Sequence, residues 1–233
     1  MLIQMAWRVS LFVFLLCAAL RARACEIALV LAVDVSGSVD NNEYRIQMQG
    51  LADGLRDASV SEALVAQEAA VMVLQWTGSS RQRAVTPWTR MTDFDVLEGF
   101  ATRVETAPRV WRNFSTAIGE ALAFASAQFA DVPNCERWVI DISGDGSSNE
   151  GVDPKDVHNV LSISNIVVNA LVIEGAEPQI TEYFWENVIL GNGAFVITAN
   201  SFEDYPNRMQ RKLLREVTKQ ISERRPDSRN PNL

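Results

Sequence analysis

The stretch that most restricts how this chain can fold is Leu29-Val30-Leu31-Ala32-Val33-Asp34-Val35-Ser36-Gly37-Ser38. An apolar run of strand composition ends in an aspartate, and two serines follow across a glycine. A run without polar alternation suits a parallel strand covered on both faces. The C-terminal end of such a strand opens into the ligand crevice of an open α/β sheet. Asp34, Ser36 and Ser38 would stand there as one carboxylate and two hydroxyls on a tight turn. These are hard oxygen donors, suited to Mg²⁺ or Mn²⁺ rather than to zinc or copper.

Apolar runs and helical stripes alternate along the rest of the chain. Strands are expected over Ile27–Val33, Ala69–Trp76, Trp138–Ile142, Ile166–Ile173 and Ala194–Thr198, with a short antiparallel edge strand around Ala84–Thr86. Between them fall helices with inward stripes at Tyr44, Met48, Leu51 and Leu55, and at Phe94, Leu97, Phe100 and Val104. Thr116 opens a third helix, bearing Ile118, Ala121, Leu122, Ala125 and Phe129. A fourth begins at Asp153-Pro154, with proline in its first turn. A short helix covers Ile180–Val188, and a long one Phe202–Glu223 turns Met209, Leu213, Leu214, Val217 and Ile221 inward. This alternation predicts a doubly wound, Rossmann-like α/β domain: six strands, mostly parallel with one antiparallel edge, helices on both faces. At 233 residues with 48% hydrophobic content, one full core is expected, and no 20–50-residue period suggests a repeat architecture.

Residues 1–24 read as an export signal: Arg8, an apolar run from Leu11 to Leu20, then Ala22-Arg23-Ala24 as a small-x-small cleavage site before Cys25. The run is short for a membrane span. The mature domain is then 25–223, with no membrane span, and 224–233 a disordered tail rich in Arg, Pro and Asn. Losing Arg8, Arg21 and Arg23 takes the net charge from −8 to −11, which disfavours nucleic acid and anionic lipid as partners. Cleavage also removes Cys17. Cys25 and Cys135 remain, nine and ten residues before Asp34 and Asp145, near the same lower end of the sheet. In an oxidising compartment they would form a disulfide; two free thiols are the alternative, because sequence does not report their separation.

Two later segments return to the edge where Asp34 stands. Asp141-Ile142-Ser143-Gly144-Asp145-Gly146 puts Asp145 on a glycine-flanked turn after a strand. Asn113-Phe114-Ser115-Thr116 brings the Thr116 hydroxyl to a helix start. Asp34-x-Ser36-x-Ser38, then Thr116 before Gly119-Glu120-Ala121-Leu122, then Asp145-Gly146 closing a strand, resembles the von Willebrand factor A (VWA) domain and its metal-ion-dependent adhesion site (MIDAS). The likeness covers Glu26 to Glu223. Within that family, Gln75-Trp76, Ser143-Gly144-Asp145-Gly146 and Arg211-Lys212-Leu213-Leu214-Arg215-Glu216 resemble exported bacterial members of unassigned function. Two departures are visible: Phe114 and Ser115 stand where small residues are usual, and Gly144 replaces the common threonine, which should loosen the Asp145 turn.

The resemblance implies that Ser36, Ser38 and, in one conformation, Thr116 touch Mg²⁺ or Mn²⁺ directly, with Asp34 and Asp145 behind them or one of the two joining the direct ligands. It implies a secreted or periplasmic protein-binding module, not an enzyme, whose ion accepts a carboxylate from a protein partner. Trp111, Arg112 and Phe114 would form the rim, with at least one of these rings packed in the core. Asn149 and Glu150 read as a solvated loop. A metal-dependent phosphotransfer enzyme is the rival, but that chemistry wants a second acid where Ser36 stands. A purely structural envelope domain is the other. His158, the sole histidine, lies on a helix, and no G-x-S-x-G elbow exists to make it a hydrolase base.

Overall fold

The computed structural model describes residues 25–175 and 177–218. The expected signal at 1–24, the tail from 224 and Ile221 of the last helix lie outside the described residues. Strand β1 (Ile27–Asp34) is buried at all eight positions, as its unbroken apolar run demands. Helix α1 (Asn41–Arg56) follows after a short loop. Its start is fixed by a capping box: the Asp40 carboxylate accepts from the backbone N–H groups of Asn42 and Glu43 at 2.7 and 2.8 Å, and Glu43 accepts from Asp40 N–H at 2.6 Å. That box pins the far end of the Val35–Val39 loop.

Helix α2 (Ala58–Ala66) comes next, then β2 (Ala70–Trp76), β3 (Gln82–Arg90) and helix α3 (Phe94–Glu105). Helix α4 (Ile118–Gln128), β4 (Arg137–Gly144), α5 (Pro154–Ile163), β5 (Val167–Ile173), α6 (Ile180–Asn187), β6 (Val196–Ala199) and α7 (Tyr205–Thr218) complete the described chain. The sheet order is β3-β2-β1-β4-β5-β6. All neighbours are parallel except β3, which runs antiparallel at the edge beside β2. This is the six-stranded sheet expected from the sequence.

Alternate β1 residues feed two cores. Ile27, Leu29, Leu31 and Val33 face α1, α2, α3 and α7; Ala28, Val30 and Ala32 face α4, α5 and α6. At the lower end Cys25 and Cys135, just before β1 and β4, are joined by a disulfide with Cα atoms 4.4 Å apart. The neighbouring Glu136 N–H donates to the Cys25 carbonyl at 2.9 Å.

Three local expectations change. Helix α2, capped by Asp57, was not anticipated: only Val60, Ser61 and Leu64 of its nine residues are buried, too few for a readable stripe. The edge strand is longer than Ala84–Thr86, and its half-exposed residues give no continuous apolar run. Phe94 is exposed at the first position of α3, although Leu97, Phe100 and Val104 do point inward.

Candidate metal centre

Asp34 ends β1 with no accessible surface. Its Oδ1 accepts the Ser36 N–H at 2.7 Å, so the carboxylate folds the following loop over itself. The Arg109 guanidinium holds that loop from the side, donating to the carbonyls of Val35 and Ser36 at 3.0 and 2.9 Å. Ser36 Oγ and Ser38 Oγ come within 3.1 Å of one another, and Ser38 Oγ donates to Asp145 Oδ1 at 2.7 Å. Three of the five expected oxygen residues are thus linked directly, and Asp34 through the Ser36 backbone.

Thr116 reaches the same place from the loop after α3. The fully buried Gln75, near the end of β2, accepts from Val110 N–H at 2.8 Å and donates to Tyr44 Oη and the Pro108 carbonyl at 2.7 and 3.0 Å. That anchors the beginning of the loop. Its end is tied by Thr77 Oγ1 donating to the Ser115 carbonyl at 2.9 Å, and by Ala117 N–H donating to the Thr77 carbonyl at 3.2 Å. Gly37 N–H donates to the Phe114 carbonyl at 2.8 Å; a β-carbon on Gly37 would lie 3.3 Å from that oxygen, so the two loops meet at a glycine.

Thr116 does not open the helix, as its sequence position suggested. Helix α4 begins at Ile118, whose N–H donates to the Ser148 hydroxyl oxygen at 3.2 Å. Capping is therefore done by another loop, and the Thr116 side chain is not committed to it. Asn149 clamps the Thr116 backbone instead, its Oδ1 accepting from Thr116 N–H and its own N–H donating to the Thr116 carbonyl, both at 2.9 Å. Asn149 is thus a positioning residue, although it and Glu150 lie exposed, as expected of a solvated loop. A β-carbon on Gly146 would lie 3.8 Å from Thr116 Oγ1, which brings the threonine against the Asp145 turn.

Asp145 follows β4 and is almost fully buried. The glycine before it does not loosen the turn. Neither Gly144 nor Gly146 uses a left-handed backbone. A β-carbon on Gly144 would sit 3.1 Å from Asp34 Oδ2 and 3.4 Å from the rings of Trp76 and Phe184. The Trp76 indole and the Phe184 ring fill the space a threonine side chain would take, and the missing side chain leaves room for the Asp34 carboxylate.

The electrostatics leave one atom unsatisfied. Asp34 Oδ2 is buried and has no hydrogen-bond partner among the described residues. Burial, then repulsion from Asp145, pushes the Asp34 carboxyl up to about 7, against the Ser36 hydrogen bonds and Arg109. Burial likewise raises Asp145, opposed by the Ser38 hydroxyl and reinforced by Glu177. A depression of about 410 Å³ opens above, lined by Ser38, Thr116, Asp145, Asn149 and Glu177 among others. Among the described residues, no three His, Cys, Asp or Glu side chains converge on one point. The oxygen set is two carboxylates and three hydroxyls.

On the rim, Phe114 is 38% exposed, with the Arg81 guanidinium 3.9 Å from its ring centroid. Trp111 packs partly into the core, and Arg112 is exposed. His158 lies on α5. Sequence reasoning did not single out Arg109, Ser148 or Gln75 as supports of the site. Only Gln75 carried a signal: a polar residue inside an otherwise apolar strand.

The comparisons agree on the class. The fold is shared with proximal thread matrix protein 1 from the mussel byssus, at 16% identity over 82% of this chain and 47% of that one, TM-score 0.63. A second structure of that protein, described as having a zinc-occupied MIDAS motif, aligns at 19% identity over 84% and 49%, TM-score 0.61. A von Willebrand factor type A protein from Catenulispora acidiphila aligns at 20% identity over 82% and 43%, TM-score 0.60. In each case this chain spans less than half the length of the protein it matches. The fold is that of a VWA domain. Within that class the chain belongs to the family described as "Protein of unknown function (DUF1194)", which matches residues 24–221. No curated protein matches it.

Proposed function

We propose that this chain is an exported adhesion-type module that holds Mg²⁺ or Mn²⁺ between Ser36, Ser38 and Thr116, backed by Asp34 and Asp145. One observation carries the reading: the buried Asp34 Oδ2 has no partner and belongs to a cluster with an excess of negative charge. Such a group is costly unless a cation compensates it. The donors fit a hard ion, because hydroxyls and carboxylates suit Mg²⁺ and Mn²⁺, and an open depression leaves positions for water or a partner. When bound, the ion would supply an electron-poor point able to accept a carboxylate from a protein partner. With neutral hydroxyls as its nearest donors it keeps most of its charge for that contact.

Binding rather than turnover is supported by what surrounds the cluster. Position 36 is a serine where a phosphotransfer site wants a second acid, Lys212 is paired with Asp141 inside the other core, and Arg109 is spent on loop carbonyls. Export is supported by the Cys25–Cys135 disulfide, which suits an oxidising compartment. Among the described residues no helix is long and apolar enough to cross a membrane.

Calorimetric titration of Mn²⁺ into the purified chain tests the proposal, with Asp34→Ala and Ser36→Ala measured alongside. Saturable binding in the wild type, lost in both variants, is expected. A folded wild type that takes up no ion at millimolar concentration would overturn it.

A further inference from the structure

The ground around the cluster is divided by charge. On the β6 side stand Glu43, Glu174 and Glu203, lining a depression of about 220 Å³ that Ser38 and Asp145 also border. On the β3 side stand Arg81 and Arg83, with one acid, Glu150, against Gly78, and Arg112 follows Trp111 on the adjoining loop. Among the described residues none of these three arginines takes part in a salt bridge, whereas Arg56, Arg90, Arg208 and Lys212 all do. Arg45, Arg103, Arg211 and Arg215 are likewise in no salt bridge among the described residues; what sets Arg81 and Arg83 apart is their place beside the cluster, next to rings of the loop that carries Thr116.

Two of these arginines rest on aromatic rings, and Arg112 is exposed between those rings in sequence. Arg81 lies 3.9 Å from the Phe114 centroid, and its guanidinium also donates to the Ser79 carbonyl at 3.2 Å. Arg83 lies 6.0 Å from the Trp111 centroid. The rings orient the guanidinium planes at modest energetic gain and leave their N–H edges available. Phe114 ties this shelf to the cluster, since its carbonyl receives the Gly37 N–H between Ser36 and Ser38.

We propose that this shelf is the second half of the partner site, and that the partner is an acidic protein segment carrying several carboxylates. The inference rests on the metal reading above. One carboxylate meets the ion; the following ones pair with Arg81, Arg83 and Arg112. The glutamates opposite repel the segment, so it leaves the ion across Phe114 toward β3. Charge placed this way sets direction and encounter rate as well as affinity. A partner with an isolated acid would use only the ion and gain nothing from the shelf.

The test uses dye-labelled hexaglutamate as the probe, followed by fluorescence anisotropy with the purified full chain and saturating Mn²⁺. Replacing Arg81, Arg83 and Arg112 together by alanine should weaken binding about tenfold, as three exposed pairs of a few tenths to 1 kcal/mol would give. The salt dependence of binding should become shallower, while Mn²⁺ affinity by calorimetry stays as in the wild type. The triple lysine variant should recover most of the affinity, which a merely structural role would not produce. Equal binding by wild type and the alanine triple overturns the proposal. So does a wild type that takes up Mn²⁺ normally and ignores hexaglutamate. A wild type that binds hexaglutamate through the arginines but takes up no Mn²⁺ sinks the metal reading alone and leaves the shelf standing.

Discussion

Two buried carboxylate clusters sit on the same strand and solve the same problem in opposite ways. In the first, Asp141 in β4 points into the α7 face and meets Lys212 Nζ at 2.5 Å; Lys212 also reaches Glu216 at 3.2 Å. Asn169 from β5 donates to both oxygens of Glu216 at 2.8 and 2.9 Å and accepts from Phe195 N–H at 2.9 Å. The chain supplies its own cation there. In the second, four residues further on, Asp145 and its neighbour Asp34 form no ion pair among the described residues, and Arg109 acts on Asp34 only at longer range. A carboxylate oxygen lacks a hydrogen-bond partner in both clusters, Asp34 Oδ2 here and Asp141 Oδ2 there, so the difference lies in the cation. The chain neutralises one buried acid pair with a lysine and supplies no such ion pair to the other. That contrast, more than any single distance, supports the proposal that the upper cluster takes a cation from outside, while the lower one is neutralised within the scaffold.

The contrast can be broken most forcefully at Lys212. Lys212→Met leaves Asp141 and Glu216 buried without a cation and should cost about 3–5 kcal/mol in urea denaturation, with no rescue by metal. Asp34→Asn is the counterpart. In metal-free buffer it should leave stability unchanged or raise it, because it removes an unpaired buried charge, yet it should abolish the response to Mn²⁺. If Asp34→Asn costs as much as Lys212→Met, the two clusters do not differ in the way described.

Ligand linkage should be the next largest effect. At a hundred times its dissociation constant, Mn²⁺ should stabilise the wild type by about 2.7 kcal/mol in thermal melts. Ser36→Ala should lose that gain and Lys155→Ala, at an exposed position of α5, should keep it.

A smaller effect follows from pH. Burial, opposed by Lys212 and reinforced by Glu216, holds the Asp141 carboxyl up at about 6, above its ordinary 3.8; the Tyr205 hydroxyl also faces it from α7. A carboxyl whose pKa is raised on folding favours the folded state while protonated. Its contribution is full below 3.8 and fades as pH rises through about 6. Measured in Asp34→Asn, to remove one of the two upper carboxylates, the melting temperature should therefore gain from acidification between pH 7 and 5, with Asp145, also raised by burial, acting in the same direction. Asp141→Asn added to that background should reduce the gain. The smallest change is expected on the rim: Phe114→Ala loses an exposed ring and one cation–π contact, below about 1 kcal/mol in denaturation.

Much of this was legible in the sequence because β1 is unambiguous. A run with no polar interruption, ending in Asp34, locates the sheet centre and its functional edge together. Ser36, Ser38 and Asp145 follow from turn chemistry. The supports were harder to see. Ser148 and Asn149 act on Thr116 across more than thirty residues, a pairing no local pattern encodes. The lower cluster was missed because Lys212 and Glu216 look like an ordinary surface pair four residues apart. They fall, however, on the stripe of Met209, Leu213 and Val217, which the structure buries, and Leu214, read as inward, is only half-buried. Asp141 and Asn169 inside apolar strands were the matching signal. Charges on an apolar stripe opposite polar residues within strands point to a buried network.

The most direct test of the contrast is a crystal soaked in Mn²⁺ and measured for anomalous scattering. The account predicts one strong peak between Ser36 Oγ, Ser38 Oγ and Thr116 Oγ1, with none beside Asp141. A peak among Glu43, Glu174 and Glu203 instead, or no peak above the Asp34 carboxylate in an accessible lattice, would contradict it.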